Sequence, residues 1–156
     1  MRRFFLTFFY SGLLPKMPGT WGSLLAAVFG YFILKYLGLQ TLFLLTILIT
    51  IIAVKEIDKY EKEIGIHDAS EIVIDEVAGV WLAFCISGAT AVQLVLGVIF
   101  FRVFDIWKPS VIGRIDKEVK GGLGVMGDDL LAGVFAGICS GMGYMVWERY
   151  GSLILV

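Results

Sequence analysis

Five acidic side chains, Asp75, Glu76, Asp105, Asp128 and Asp129, and two basic ones, Arg102 and Lys108, border or interrupt stretches that otherwise carry almost no charge. They are the residues whose types and spacing could do chemistry. Asp75-Glu76 and Asp128-Asp129 are adjacent pairs that repel themselves unless something positive lies between them. Arg102, Asp105 and Lys108 recur every three residues and so share one stripe of a helix. Oxygen ligands without a Cys/His cluster suit a hard cation, Mg2+ before Mn2+, and argue against zinc. Mg2+ commonly shares its shell with waters and a substrate phosphate, so phosphate chemistry is the expectation. A phosphate clamp would draw on Lys16, Thr20, Ser23, Arg102 and Lys108, with the free backbone N–H groups after Thr20 as a further anion site.

Singly, these residues have plainer explanations. Asp128 can be a helix N-cap, and Arg102 with Asp105 an i,i+3 pair that satisfies itself. As a set they do not, because two acidic pairs at bilayer depth need cations. Other phosphate chemistries lack their residues. A cysteine phosphatase needs Arg six positions after its Cys, but Cys85 leads to Ala91 and Cys139 to Met145. A phosphohistidine route needs more than the single His67. Gly122 to Gly127 matches G-x-G-x-x-G, yet no strand precedes it, and it reads as a flexible loop.

The elements that must position this set are apolar helices. The chain has 156 residues, 58% hydrophobic and 17% charged, against the roughly one-quarter charged balance of a soluble domain. Leu37 to Val54 and Leu130 to Trp147 are charge-free runs of 18 residues, close to the roughly 17 to 25 that cross a bilayer. The spacing predicts an interfacial N-terminal helix carrying Arg2 and Arg3 toward lipid phosphate, uncleaved because its apolar stretch breaks at Pro15 with no small-residue cleavage pattern. Thr20 would cap a first span over 21–36, and a second span over 40–54 would run on into water to Ile64, where Gly65 stops it. Asp58 with Lys62 and Lys59 with Glu63 form i,i+4 pairs there. Asp68 to Glu71 has capping-box spacing and would open the next helix. Pro109 ends the fourth span, and Asp128 and Asp129 begin the fifth after a glycine-rich loop. Cys85 and Cys139 lie in apolar segments and read as packing residues rather than a disulfide.

The 25 charge-free residues from Val77 to Phe101 are either one long span or two short ones turned at Ser87-Gly88-Ala89-Thr90. Charge decides between them. With the hairpin, eleven of thirteen Lys and Arg fall on one side, all but Lys35 and Arg149, as do all acids except Glu148. That bias marks a cytoplasmic face. The expected architecture is therefore all-α: a single domain over 1–156, a membrane bundle of about five short transmembrane helices plus the interfacial helix. The net charge of -1 implies no nucleic-acid partner.

Three blocks of the chain resemble the phosphatidylglycerophosphatase A family. They are Gly12-Leu13-Leu14-Pro15-Lys16-Met17-Pro18-Gly19-Thr20-Trp21-Gly22-Ser23; His67-Asp68 through Ile72-Val73-Ile74-Asp75-Glu76-Val77-Ala78-Gly79; and Phe101-Arg102-Val103-Phe104-Asp105-Ile106-Trp107-Lys108-Pro109 through Gly121-Gly122, Asp128-Asp129 and Ala132-Gly133. The resemblance implies a Mg2+-dependent lipid phosphatase of the bacterial inner membrane, acting on its cytoplasmic face and converting phosphatidylglycerophosphate to phosphatidylglycerol. It carries the family's acidic positions onto Asp75, Glu76, Asp105, Asp128 and Asp129 and its basic ones onto Arg102 and Lys108. His67 and Asp68 match too, with two roles open for His67: an accessory general acid, or a satisfied helix-entry residue beside Asp68. This chain departs from the family after Lys108-Pro109, with Ser110-Val111-Ile112 where members often have Trp-Pro-Ile. Two attacking groups fit such chemistry, a metal-activated water or one of the aspartates. The rival from another class is a non-enzymatic ion or lipid carrier using the same carboxylates, which would need access from both faces, whereas the far half of every span lacks carboxylates. A lipid phosphotransferase is a weaker rival, because the Asp-Gly-containing CDP-alcohol signature is absent.

Overall fold

Glycine and proline punctuate the apolar runs, and the helices end where they stand. The computed structural model describes residues 1–154, and among them the regular structure is entirely helical. The helices are α1 (Arg2–Leu6), α2 (Pro18–Leu37), α3 (Leu39–Ile64), α4 (Ile74–Ser87), α5 (Ala91–Trp107), α6 (Val111–Glu118) and α7 (Gly122–Ile154), with a 3-10 turn at Ser11–Leu13. Gly65, at φ 70°, closes α3 where expected, donating its N–H to the Glu61 carbonyl at 2.8 Å. The turn after Ser87 is real: Gly88 ends α4 at φ 106°, and Thr90 opens α5 with a capping box shared with Gln93. The short connections force successive long helices to run antiparallel, so the starts of α2, α4 and α7 and the ends of α3 and α5 meet at one end of the bundle.

Helix α4 is the hub. It packs against α2, α3, α5 and α7, and Val77, Ala78, Val80, Ala83 and Phe84 are all buried, as expected of a helix apolar on every side. The other long helices turn apolar side chains outward, among them Leu44 and Ile51 of α3 and Met145 of α7. Such a surface belongs in a membrane. Two polar links tie apolar parts of the helices: the Trp81 indole donates to the Ala26 carbonyl at 2.8 Å, and the Ser140 hydroxyl to the Gln93 carbonyl at 2.7 Å.

Several expectations are corrected. Three helices, α2, α3 and α7, are by themselves long and apolar enough to cross a membrane, fewer than the about five expected. At 14 and 17 residues, α4 and α5 span about 21 and 26 Å, short of a roughly 30 Å hydrocarbon core. Helix α2 begins at Pro18, because proline fits the first turn, so Thr20 lies inside the helix and caps nothing. Asp68 to Glu71 forms no capping box; it stays in a loop, and α4 begins only at Ile74. Residues 122–127 form the first turns of α7 rather than a loop, placing Asp128 inside that helix instead of at its N-cap. Asp58 caps that start, accepting from the Gly122 N–H at 2.7 Å instead of pairing with Lys62. Lys59 pairs with Glu56 at 2.7 Å instead of Glu63, which pairs with Arg2 at 2.5 Å. The N-terminal arginines thus bind protein: Arg2 also reaches Glu56, and Arg3 reaches Glu71, each at 2.8 Å. A hydrogen bond from Tyr60, then Arg3, hold the Glu71 carboxyl below its usual range. Helix α6 was not anticipated, although Val111, Ile112 and Ile115 mark an apolar face among charged residues.

Candidate active site

The site begins with a close crossing of α4 and α7. A Cβ on Gly133 would collide with the Gly79 carbonyl, and one on Gly79 would lie 2.7 Å from the Asp129 carbonyl. Only glycine lets two backbones approach so nearly. Asp75 precedes Gly79 by four residues and Asp129 precedes Gly133 by four, so both carboxylates lie on the stripes that cross. The helix contact therefore drives the two acids toward each other.

Glu76 joins them. One carboxylate oxygen from each of Asp75, Glu76 and Asp129 can be chosen so that all three lie within 4.8 Å of one another. The opening turn of α2 packs directly on this group: a Cβ on Gly19 would run into Glu76 Oε1 and would stand 3.1 Å from the Arg102 guanidinium. Around the group lies a cavity of about 380 Å³ that takes in Asp68, Ser70, Asp105, Lys108 and Asp128 as well.

The cations are unevenly shared. Arg102 is paired with Asp105 one turn away, lies 4.0 Å from Glu76, and reaches the Thr20 hydroxyl at 3.5 Å. Lys108, in left-handed conformation at the end of α5, donates to Asp116 of α6 and Asp128 of α7, both at 2.6 Å. Burial alone would depress the Lys108 ammonium, but those two hydrogen bonds outweigh it and hold the group above an ordinary lysine. Among the described residues, neither Asp75 nor Asp129 has a salt bridge. Glu76 Oε2, Asp128 Oδ1 and Asp129 Oδ2 are buried without any hydrogen-bond partner. Unpaired buried carboxylate oxygens are costly, and three converging acids, two of them with an unpartnered oxygen, suit a hard cation.

The structure thus brings together Asp75, Glu76, Arg102, Asp105, Lys108, Asp128 and Asp129, with Asp68 at the rim. Other expected members stand apart. Lys16 is exposed and does not line the cavity. Ser23 donates to the Gly19 carbonyl of its own helix at 2.7 Å, which occupies its proton. His67 lies 2.7 Å from Glu61 beside a separate surface hollow with Asp58 and Lys62, so the accessory role expected for it has no geometric support. Thr20 lies in the first turn of α2 rather than capping it, but its hydroxyl still reaches Arg102. Missed altogether were Ser70, which lies in a loop without periodicity, and Asp116, whose pairing with Lys108 depends on the unanticipated α6. Cys85 and Cys139 are free thiols.

Comparison with known proteins places this arrangement. The family described as Phosphatidylglycerophosphatase A matches residues 4–144, which include every residue lining the cavity. Phosphatidylglycerophosphatase A of Escherichia coli (strain K12) is 40% identical over 143 residues, covering 91% of this chain and 81% of the relative. The protein of the same name from Haemophilus influenzae is 36% identical over 129 residues, covering 82% and 79%. A Bacteroides thetaiotaomicron protein is 38% identical over 137 residues, covering 83% and 85%; its name provisionally gives it phosphatidylinositol-3-phosphatase activity. No solved structure matches the chain. With the cavity and helices α2 to α6 wholly inside the matched region, this chain belongs to the phosphatidylglycerophosphatase A family.

Proposed function

We propose that this chain is a Mg2+-dependent phosphatase that hydrolyses the terminal phosphomonoester of phosphatidylglycerophosphate, yielding phosphatidylglycerol and inorganic phosphate. The observation that carries this is the group of three convergent carboxylates, Asp75, Glu76 and Asp129, set beside Arg102 in a cavity at one end of an apolar bundle. The orphaned oxygens of Glu76 and Asp129 fit a divalent ion with an oxygen shell, and Asp105 and Asp128 line the same cavity. Bound there, Mg2+ supplies Lewis-acid polarisation of the phosphoryl group.

The chain's own residues do the rest. Arg102, already in contact with Thr20, is placed to neutralise the non-bridging phosphate oxygens, and Lys108 adds a second fixed cation. Ile72, Ile106 and Val125 line the cavity and limit the water around the reacting group. Attack falls to water or to an aspartate. An acid-labile phosphoenzyme trapped in a Glu76→Gln variant would select the aspartate.

In this reading α4 and α5 also cross the membrane as short spans, giving five in all. Helix α4 is enclosed by protein and need not match the hydrocarbon thickness itself. The end bearing most of the Lys and Arg faces the cytoplasm across a bacterial inner membrane, with α1 at the interface. The test is phosphate release by purified protein from phosphatidylglycerophosphate, and from phosphatidylinositol 3-phosphate as the competing headgroup, with Mg2+ and with chelator. Release from the first lipid only in Mg2+ is expected. No release under any condition would refute the enzyme.

A further inference from the structure

We propose that the seam between α2 and α5 is the acyl-chain site of this enzyme, seating one hydrocarbon tail of the lipid whose phosphate enters the polar cavity. The proposal rests on the phosphatase reading above and extends it to how a membrane-bound substrate is held.

A second cavity, of about 560 Å³, lies between these helices and is lined by Leu24, Ala27 and Val28 of α2 and Val95, Val98 and Ile99 of α5. The Phe84 ring of α4 also lines it. That ring lies close to α2 because Gly30 faces it, where a Cβ would stand 3.0 Å away, and on the α5 side it faces Gly97, where a Cβ at 3.5 Å would make ordinary contact. The rim is turned outward, with Val28 51%, Val95 59% and Ile99 52% exposed. Inside a bilayer such an apolar hollow cannot hold water on favourable terms, so hydrocarbon fills it.

Position distinguishes this hollow from any other greasy surface. The polar cavity uses the same two helices, taking Gly19 from α2 and Arg102 and Ile106 from α5. Ile99 precedes Arg102 by three residues, roughly 4.5 Å of helical rise, and Leu24 follows Gly19 by five, roughly 7.5 Å. The hollow then continues along α5 to Ala91, a further 12 Å or so. A lipid with its phosphate at Arg102 would keep its polar linkage at the level of the gap and lay a tail along the seam without leaving the membrane. The apolar pocket among Phe4, Phe5, Phe8 and Phe9 meets the polar cavity only through α4, where Ile74 precedes Asp75, and it uses neither α2 nor α5.

Two measurements decide it. First, wild-type protein in vesicles is photolabelled with phosphatidylglycerophosphate carrying a diazirine in one acyl chain, and the labelled residues are mapped. Labelling concentrated on residues 24–32 and 91–99 is expected; labelling spread evenly over the outer surface, with Leu44 and Ile51 of α3 marked equally, would overturn the proposal as ordinary boundary lipid. Second, Ala27→Phe and Val95→Trp fill the hollow without touching the polar cavity. They should raise KM for the long-chain lipid about tenfold while leaving kcat on the deacylated headgroup bisphosphate within about twofold of wild type. Equal behaviour toward both substrates would overturn it. The labelling arm uses unaltered protein, so it stands if a variant misfolds, and it stands equally if neither substrate is hydrolysed, an outcome that would refute the phosphatase reading alone.

Discussion

The two halves of the polar cavity are built from the same residue types and differ in how their charges are met. In one half each carboxylate has a cation: Asp105 is paired with Arg102, and Asp128 shares Lys108 with Asp116. In the other, Asp75, Glu76 and Asp129 converge; among the described residues neither Asp75 nor Asp129 has a salt bridge, Glu76 and Asp129 each keep an unpartnered oxygen, and Arg102 stands 4.0 Å from Glu76. The matched half is a self-contained brace that joins α5, α6 and α7. The unmatched half buries carboxyl groups with unpartnered oxygens, a cost that the rest of the bundle must offset and that a bound cation would relieve.

The largest expected effect separates the halves by sign. Asp129→Asn should lower phosphate release about a thousandfold and abolish any thermal stabilisation by Mg2+, yet raise the unfolding temperature of the metal-free protein, because it removes a like charge. Asp128→Asn should lower that metal-free unfolding temperature, because it takes a partner from Lys108. If both variants shift the metal-free protein the same way, the contrast between the halves is wrong.

Arg102→Gln should cost about a hundredfold in kcat/KM, since it removes a phosphate-neutralising charge and strands Asp105. Steady-state kinetics with wild-type-like activity would move the phosphate site elsewhere. Gly133→Val should destabilise by about 1–3 kcal/mol in reversible unfolding and reduce activity by about tenfold, because its side chain would push α7 off the Gly79 backbone and part Asp75 from Asp129. Gly143→Ala is its control, meeting only Leu96 at 3.5 Å, and should be neutral. The smallest effect belongs to His67→Ala, which should leave phosphate release within about twofold of wild type, since the ring lies 2.7 Å from Glu61 and lines a different hollow. A larger loss would return His67 to the site.

Much of this was legible in the chain. The helix ends at Gly65 and at the Ser87-Gly88 turn followed from local chemistry, as did the stripe of Arg102, Asp105 and Lys108. The misreadings share a cause. Thr20, Asp68 and Asp128 all have good capping chemistry, and in each case the start of a helix moved by several residues because packing outweighed a cap worth only about 1 kcal/mol. Helix α2 starts at Pro18 with Gly19 against Glu76, and α7 starts at Gly122 with its N–H on Asp58. The surface ion pairs were misassigned because i,i+4 spacing competes poorly with Arg2, which comes from another helix to take Glu56 and Glu63.

By itself, the sequence determined that this is a helical membrane chain, that its charged residues gather at one end, and which carboxylates could bind a metal. Those properties depend on hydrophobic runs, breakers and helical periodicity, all local in the chain. Only the tertiary structure decided which carboxylates are matched and which are not. That outcome depends on how near α4 and α7 come at Gly79 and Gly133 and on α6 delivering Asp116 to Lys108. Electrostatic pairing falls off within a few ångströms, and such distances between helices are set by packing rather than by spacing along the chain.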